Sequence, residues 1–413
     1  MNSDVGFTPR RFVGIDLHKH FAVIVAVNAL QQVLLKPQRV PLDNLPAWAK
    51  AHLRPDDAVV LEATTNARTV YDLLAPLVAR CVVPNPLQVK WIPAAAVKTD
   101  KQDALRLARL LAANLVPEVW VPPHHVRELR ALIAHRRQLV KQQTRLKNQL
   151  HSILHRHHIA PPQGDPFAAH NRNRWRELAL SPTERLRLRQ TLASLIHIQH
   201  QLADLKAELR RLSSDTPWKD QLPFLLQLPG FGLLSAMTVL GAIGNISRFP
   251  TPKHLVSYAG LASGLHHSGQ TYRTKGITKR GRRELRRALI EAAWVAVRTS
   301  PYWKAQFRRL TRHKPSQVAI ARKLLVAVWY VLSKRAADCH AEPRTVACKL
   351  MRWSWQLTKE QRGGLTSRQF IRYTLLRLQL GHDLTTLTYG GTPRGLASVE
   401  EILALFPELA DPA

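Results

Sequence analysis

Runs of apolar residues with short polar breaks open the chain and predict a β-sheet. Three strand-like segments follow one another from Arg11, namely RFVGIDLHK, FAVIVAVNA and VLLKPQRV, and all are rich in Val, Ile and Leu. A helix is predicted from Asn44 to His52, a fourth strand in DDAVVLEAT, a helix from Ala67 to Ala79 and a fifth strand in CVVP. The chain therefore begins with an α/β domain.

The order of these elements is three strands, helix, strand, helix and strand. It is the order of an RNase H-like core, and it predicts that fold for residues 10–122. A further helix is predicted in VKTDKQDALRLARLLAAN, whose apolar positions have helical spacing. Thr99, followed three residues later by Gln102, predicts a capping box at the start of that helix.

The rest of the chain has the periodicity of helices. Two long segments rich in Arg and Lys, 126–157 and 183–212, predict an antiparallel coiled-coil arm over residues 123–215. Residues 220–336 are expected to form a mostly α-helical domain, in which FLLQLPGFGLLSAMTVLGAIG resembles a helix-hairpin-helix. Residues 337–413 form an extension to which the sequence assigns no role.

Three tryptophans, Trp91, Trp294 and Trp329, lie in otherwise apolar stretches of the sequence. We interpret them as core residues rather than as platforms on which nucleic-acid bases stack.

The charge of the chain indicates what kind of partner it binds. The chain has 61 Lys and Arg against 28 Asp and Glu, a net charge of +33, and a sequence pI near 11.1. Residues 1–120 hold 14 basic and 10 acidic residues, so almost all of the excess lies further along the chain. A polyanion is the expected partner, although a basic ribosome-associated protein would have a similar balance.

The cysteines and the N-terminus bear on location. The three cysteines have no CxxC spacing and no paired framework, as is typical of a reducing compartment. The N-terminal residues lack the apolar core of a signal peptide, and no early apolar run approaches the ~20 residues that span a bilayer. We therefore expect a cytoplasmic, nucleoid-associated protein with no membrane partner.

Four carboxylates lie where elements begin or end. Asp16 is near the end of the first strand, Glu62 follows the fourth strand, and Asp100 and Asp103 share one face at the start of a helix. Crowded carboxylates repel each other unless a cation such as Mg²⁺ (or Mn²⁺) is bound, and such ions support phosphodiester chemistry. Alternatively, each acid is solvated, and the acids of the helix start stabilise the helix dipole.

A family resemblance adds to this interpretation. VGIDLHK, LEATTN and KTDKQDALRLARLL resemble the acidic motifs of the DEDD transposases of bridge-RNA-guided insertion sequences, a family that includes the Piv-type DNA invertases. LPGFGLLSAMTVLGAIGNISRF, YAGLASG, SGQ, GITKRGRRELRRALIEAAW and VAIARKLLVAVW resemble later family motifs in the same order. The resemblance covers about residues 10 to 335 and implies a RuvC-like domain in which Asp16, Glu62, Asp100 and Asp103 bind metal.

The resemblance also implies a serine nucleophile in the second half of the chain. The family motif places it at Ser268 in HHSGQ, with Ser263 in LASG as the nearby competitor. Two departures from the family pattern affect the loops: Thr65 and Asn66 replace a Gly-aromatic turn, and Ser263 replaces a common Pro. Without the resemblance, Ser268 would be interpreted as an ordinary loop serine.

Basic residues surround this serine motif. We expect them to bind nucleic-acid phosphates and to neutralise charge in the transition state, although a solvated helix face would look similar. The predicted contacts are Arg273, Lys275, Lys279, Arg280, Arg282 and Arg283.

Together these features predict an insertion-sequence transposase or site-specific recombinase that cuts and rejoins DNA through a metal site and a serine. The family implies a noncoding guide RNA. It also implies a homo-oligomer, either a dimer or a tetramer, in which the acids and the serine of different subunits form one composite site. The first alternative is a RuvC-like resolvase or nuclease without a covalent intermediate. The second is a nucleic-acid-binding protein with an inactive RNase H-like fold.

Overall fold

The structure is a computed structural model that describes residues 9–89, 99–161, 163–269, 271–310 and 317–410. The chain separates into two compact units, residues 1–123 and residues 124–413. Within the described ranges, no helix combines the length and the apolar character that crossing a bilayer requires.

The first unit is built on a six-stranded sheet. Its strands are β1 (Arg11–Leu17), β2 (Phe21–Val27), β3 (Val33–Pro41), β4 (Asp57–Leu61), β5 (Arg80–Pro84) and β6 (Glu118–Val119). Their order across the sheet is β3-β2-β1-β4-β5-β6, with β1 parallel to β4 and β4 parallel to β5. The predicted five strands are thus confirmed, and a short antiparallel sixth strand is added at the edge.

In the described part of this unit, four helices accompany the sheet. They are α1 (Leu45–His52), α2 (Ala67–Leu74), α3 (Pro86–Val89) and α4 (Asp100–Ala112). The predicted helix from Ala67 to Ala79 is too long, since α2 ends at Leu74 and a 3-10 turn follows. Pro76 in that turn has no amide hydrogen to donate to the preceding turn of an α-helix.

The two faces of β1 bury different sets of side chains. Val13, Ile15 and Leu17 belong to a core with residues of α1 and α2. Phe12 packs on the opposite face with Leu107 of α4, in a second core. Gly14 and Asp16 alternate with the first set, so they lie on the α4 side of the sheet.

Helix α4 lies directly on the backbone of β1. A Cβ atom on Gly14 would lie 2.1 Å from the carbonyl oxygen of Ala104 and 2.6 Å from the amide nitrogen of Ala108. Only glycine allows this approach. Thr99 caps the helix, because its side chain accepts a hydrogen bond from the Gln102 amide, and this contact of the predicted capping box is confirmed.

The second unit begins with two long helices. They are α5 (His124–Arg156) and α7 (Pro182–Ser213), separated by the short α6 (Arg172–Arg176). Leu139 of α5 packs with Leu202 of α7, whereas Leu150 packs with Leu192, so the helices run antiparallel. A mixed sheet is thus followed by a mostly helical region. This confirms the prediction that an α/β domain precedes helical domains.

A tight helical hairpin follows the long helices. Helix α8 (Trp218–Leu226) and helix α9 (Leu233–Ile243) flank a turn in which Phe231 is buried. Gly230 in this turn has a φ of +81°, and a Cβ there would lie 2.2 Å from the carbonyl oxygen of Ala292. This side of the turn therefore packs against the protein rather than facing a ligand.

Four helices and one β-hairpin make up the described residues of the rest of the region with the serine motif. The elements are α10 (Pro252–Tyr258), β7 (Ser263–Ser268), β8 (Thr271–Ile277), α11 (Arg283–Thr299), α12 (Pro301–Leu310) and α13 (Gln317–Lys334). The core interpretation is wrong for Trp294, which is 55% exposed on α11. Trp329 is half-buried and donates to the carbonyl of Phe249, whereas Trp91 lies outside the described residues.

Residues 337–410, the described part of the C-terminal extension, are folded and contact the preceding helices. Their elements are α14 (Pro343–Ser354), α15 (Ser367–Arg377), β9 (Thr386–Tyr389), β10 (Thr392–Gly395) and α16 (Val399–Leu405). The Lys349 ammonium donates to the carbonyls of Leu226 and Leu228 beside the hairpin turn, at 2.8 and 2.6 Å. Burial lowers the pKa of Lys349 to about 8.

The contact between β1 and α4 generates the first prediction. We expect Gly14→Ala to lower the free energy of unfolding of the first unit by about 2 kcal/mol or more, because the added methyl group collides with rigid helix backbone. Hydrogen–deuterium exchange of the α4 amides should accelerate. Gly276→Ala is the control, since a Cβ there meets no atom within 4 Å; equal exchange in both variants would contradict the prediction.

Candidate metal centre and nucleic-acid interface

Asp16 is the buried member of the predicted acidic site. It is the penultimate residue of β1 and only 4% exposed. A carboxylate removed from water in this way needs a compensating partner, such as a hydrogen-bond donor or a cation. Its position on the α4 side of the sheet turns it toward the start of that helix.

The compensating partner in the structure is a histidine. The Nε2 atom of His18 lies 3.2 Å from Oδ2 of Asp16 and 3.3 Å from Oδ2 of Asp100. The contact with Asp16 is a hydrogen bond, and because an ionised carboxylate can only accept, Nε2 would be the donor. Asp100 is the first residue of α4, and its carboxylate is half exposed.

Neighbouring residues hold the His18 ring and backbone in place. The imidazole stacks on Phe21 with ring centroids 4.5 Å apart, and the guanidinium of Arg39 covers the Phe21 ring at 3.7 Å. The His18 amide donates to the Phe21 carbonyl at 2.9 Å. The side-chain amide of Asn66 donates to the His18 carbonyl at 3.0 Å, while the Thr64 hydroxyl donates to the Asn66 oxygen.

The other two predicted acids lie beside this cluster. The Glu62 amide donates to the carbonyl of Ile15, which places Glu62 next to Asp16, and its side chain is exposed. Asp103 is half-buried in the first turn of α4. Among the described side chains, ligand atoms within 4.8 Å of one another come from Asp16, His18 and Asp100. Glu62 and Asp103 are outside this closest set.

His18 is thus a member of the site that sequence reasoning missed. The signal was available, because a residue two positions after Asp16 lies on the same side of an extended chain. Two carboxylate oxygens and one imidazole nitrogen are donors that divalent cations accept, so the cluster fits a divalent metal ion.

The predicted basic loop is held against the segment that follows α10. Gly281 has a φ of +120°, and a Cβ there would lie 2.2 Å from the carbonyl oxygen of Tyr258. Both motifs, YAGLASG and KRGRR, therefore need glycines for their close contact. Three backbone hydrogen bonds join the segments: Thr278 to Ala262, Lys279 to Gly260 and Arg282 to Tyr258, at 2.9, 3.1 and 3.0 Å.

This framework exposes most of the predicted nucleic-acid contacts. Arg273, Lys279, Arg280 and Arg283 are exposed to solvent, whereas the side chain of Lys275 lies outside the described residues. Because backbone hydrogen bonds already fix this loop, binding of phosphate by its side chains requires little further ordering of the backbone. Such a surface can bind a nucleic-acid backbone without reading its sequence.

Arg282 differs from its neighbours because it is half-buried. It pairs with Glu284 at 2.5 Å and lies near two other half-buried arginines, Arg130 and Arg248. Burial lowers the pKa of Arg130 to about 10, and the charge of Arg282 acts in the same direction. Arg130 also donates to the carbonyls of Gly241 and Ala242, so this arginine stabilises the end of α9.

The two candidate serines lie at opposite ends of one strand. Ser268 is the last residue of β7, paired with Thr271 at the tip of the β-hairpin. Ser263 is the first residue of the same strand, paired with Ile277. The backbone thus places Ser268 at the tip and Ser263 at the base, while the side chain of Ser268 lies outside the described residues.

Comparison with known protein families shows the class of protein to which this chain belongs. The DEDD transposase profile of IS110 elements, described as "Transposase", matches residues 13–159. The profile described as "Transposase IS116/IS110/IS902 family" matches residues 222–308. The chain carries both transposase domains of the IS110 family, and it is a DNA transposase or recombinase.

Curated relatives agree with this assignment. The transposase-type protein y4qE of Sinorhizobium fredii is 28% identical over 308 residues, 73% of this chain and 75% of its own length. The pilin gene-inverting protein of Moraxella bovis is 28% identical over 345 residues, 78% of this chain and 96% of its own. The transposase for IS1111A of Coxiella burnetii is 24% identical over 294 residues, 67% of this chain and 78% of its own.

The exposed basic loop generates the second prediction. We expect Lys279→Ala and Arg280→Ala each to weaken DNA binding for all sequences and to lower the slope of log K against log salt by about 1, because each removes one phosphate contact. Fluorescence anisotropy over a salt series measures the slope. Lys36→Ala is the control, because Lys36 is an exposed lysine in β3 of the first unit. Equal slopes in all three variants would contradict a DNA interface at the basic loop.

Proposed function

We propose that this transposase cuts and rejoins DNA strands through a divalent-metal centre in an RNase H-like, RuvC-type first unit and a serine nucleophile in the second. The observation that carries the proposal is the buried carboxylate of Asp16 in the central strand of the sheet, with Asp100 brought to it by α4. The strand order β3-β2-β1-β4-β5, with β2 antiparallel, supports the RNase H-like assignment.

The acidic side chains supply the oxygen donors of the proposed centre. Asp16 and Asp100 would hold the ion, with Glu62 directly after β4 and Asp103 in the first turn of α4 as the other predicted ligands. Bound Mg²⁺ or Mn²⁺ stabilises charge on the attacking and leaving oxygens of a phosphodiester. Burial of Asp16 keeps this ligand in one orientation, since the surrounding side chains leave it little space to rotate.

The proposed covalent step involves Ser268. Its hydroxyl oxygen bonds to phosphorus while one phosphodiester P–O bond breaks, and the serine proton is transferred to the departing sugar oxygen. Attack by a sugar hydroxyl of another strand reverses the step and releases the serine. The number of phosphodiester bonds is conserved, so strand exchange needs no external energy source.

The position of Ser268 supports it over Ser263. A residue at the tip of a two-stranded hairpin can reach into a DNA backbone, whereas the base of the hairpin lies against the helical framework. Exposed Arg273, Lys279 and Arg280 are carried by the hairpin and the loop that follows it. Positive charge near the reacting phosphate would stabilise the transition state.

The proposal extends to the partners of the reaction. DNA is the substrate, and a structured noncoding guide RNA that pairs with donor and target DNA is implied by the family resemblance. The strongly basic second half of the chain, with 47 Lys and Arg against 18 Asp and Glu beyond residue 120, supports binding of both polyanions. A homo-oligomer would bring several such centres to the two recombining duplexes.

Removal of the nucleophile gives the third prediction. With a DNA that carries the recombination site, Ser268→Ala should reduce the covalent protein–DNA adduct at least about 1,000-fold, because no other group forms the phosphoserine bond. Denaturing gel electrophoresis measures the adduct. Ser263→Ala is the control and should leave the amount of adduct unchanged. If the adduct is lost in Ser263→Ala alone, the nucleophile is Ser263. If the unmodified protein cleaves DNA without forming any adduct, the nucleophile is water.

Removal of a buried charge gives the fourth prediction. Asp16→Asn keeps the volume of the side chain but loses its charge, so DNA cleavage should fall at least about a hundredfold at any Mg²⁺ concentration. The rate is measured on labelled DNA with the folded state checked by circular dichroism. Asp43→Asn changes an exposed acid of the same unit and should cleave normally. Undiminished cleavage by Asp16→Asn would exclude the metal centre.

A further inference from the structure

The geometry points to His18 as a metal ligand, so that the centre has a mixed nitrogen and oxygen donor set and favours Mn²⁺ over Mg²⁺. This inference rests on the proposed metal centre and deepens it, because the four predicted ligands are all carboxylates. The contacts that carry it are the distances of 3.2 and 3.3 Å from Nε2 of His18 to Asp16 and Asp100.

These distances have the size expected between neighbouring ligands of one ion. An octahedral ion with bonds of about 2.1 Å separates adjacent ligand atoms by about 3.0 Å. The nitrogen of His18 is therefore spaced from each oxygen as a neighbouring donor of a shared cation would be, and the three ligand atoms all lie within 4.8 Å of one another. On binding, Nε2 exchanges its hydrogen for the ion, which is how a histidine becomes a ligand.

The His18 side chain is also held in one orientation before any ion binds. One face of the ring lies on Phe21, which is itself covered by Arg39. The backbone on both sides of the ring is tied, because the amide donates to Phe21 and the carbonyl accepts from Asn66. A surface histidine that did not bind a metal ion would not need its ring and backbone to be fixed by these contacts.

Asn66 supports His18 from a distant part of the chain. Its side-chain amide donates to the His18 carbonyl at 3.0 Å, and its own oxygen accepts from the Thr64 hydroxyl. Outer residues of this kind orient the ligands of metal sites. We regard Asn66 as a positioning residue for His18.

The identity of the donors sets the preference among ions. Oxygen ligands suit Mg²⁺, whereas imidazole binds first-row transition ions more readily, and affinity for a nitrogen-containing site rises along that row. Mg²⁺ also gives up its water reluctantly. His18 should therefore contribute much to the affinity for Mn²⁺ and little to the affinity for Mg²⁺.

The test is metal binding by the full-length protein without DNA. Free Mn²⁺ is measured by electron paramagnetic resonance during titration, and Mg²⁺ affinity follows from competition. His18→Ala should weaken Mn²⁺ binding at least about tenfold and Mg²⁺ binding less than about threefold. His20→Ala changes an exposed histidine in the same turn and should behave as the unmodified protein.

A spectroscopic measurement separates ligation from structural support. Electron spin echo modulation of the bound Mn²⁺ should show a coupled imidazole nitrogen in the unmodified protein and in His20→Ala. The signal should disappear in His18→Ala and in His18→Gln, while the amide oxygen of His18→Gln should preserve Mg²⁺ binding.

Two different failures are distinguishable. Absence of the nitrogen signal in the unmodified protein, or unchanged Mn²⁺ affinity in His18→Ala, would overturn the role of His18 alone. Asp16→Asn provides the second comparison, because it should lose both ions. If that variant binds Mn²⁺ as tightly as the unmodified protein does, the metal centre itself is wrong.

Discussion

The contact between helix α4 and Gly14 of strand β1 is the constraint on which the acidic centre depends. The helix runs along the strand with Asp100, Ala104 and Ala108 on one face, and the two alanines lie against the glycine. Because no side chain separates the backbones of β1 and α4, the first turn of α4, which carries Asp100, lies beside Asp16. A larger residue at position 14 would move Asp100 away from Asp16 and His18.

Charge is divided between the two units in a way that suits a polyanionic substrate. The first unit is nearly balanced in charge and can hold a compact acidic cluster, whereas the second carries most of the excess of Lys and Arg. Within the second unit, the arginines have different roles. Arg130 and Arg282 are half-buried, and Arg130 donates to carbonyls at the end of α9 while Arg282 pairs with Glu284. Lys279 and Arg280 face solvent on a loop fixed by backbone hydrogen bonds.

Much of the fold was predictable because its signals are local. Strand runs of Val and Ile, the Thr99 cap and the helical periodicity of α5 and α7 depend on near neighbours in sequence. The error at the end of α2 came from overlooking Pro76. Trp294 was misjudged because its apolar neighbours in sequence lie on another side of α11, and only tertiary packing decides which side is covered.

The candidate site was predictable in part. The acids at strand and helix ends were found from the order of elements, since parallel strands place their carboxyl ends at one edge. Asn66 was missed because its role arises from a contact with the carbonyl of His18, 48 residues away in the chain. His18 itself follows Asp16 by two residues, and that local signal was overlooked. The inward position of Arg282 was equally hidden, because its partners include Arg130, far away in sequence.

Residues 337–413 have a consequence for shortened copies of the gene. Lys349 donates to two backbone oxygens beside the turn between α8 and α9, and the indole of Trp353 donates to Ser213 at the end of α7. A stop codon after position 336 would retain every predicted site residue. The encoded fragment would nevertheless lack these donors, so truncated gene copies would produce a defective recombinase whose motifs are all intact.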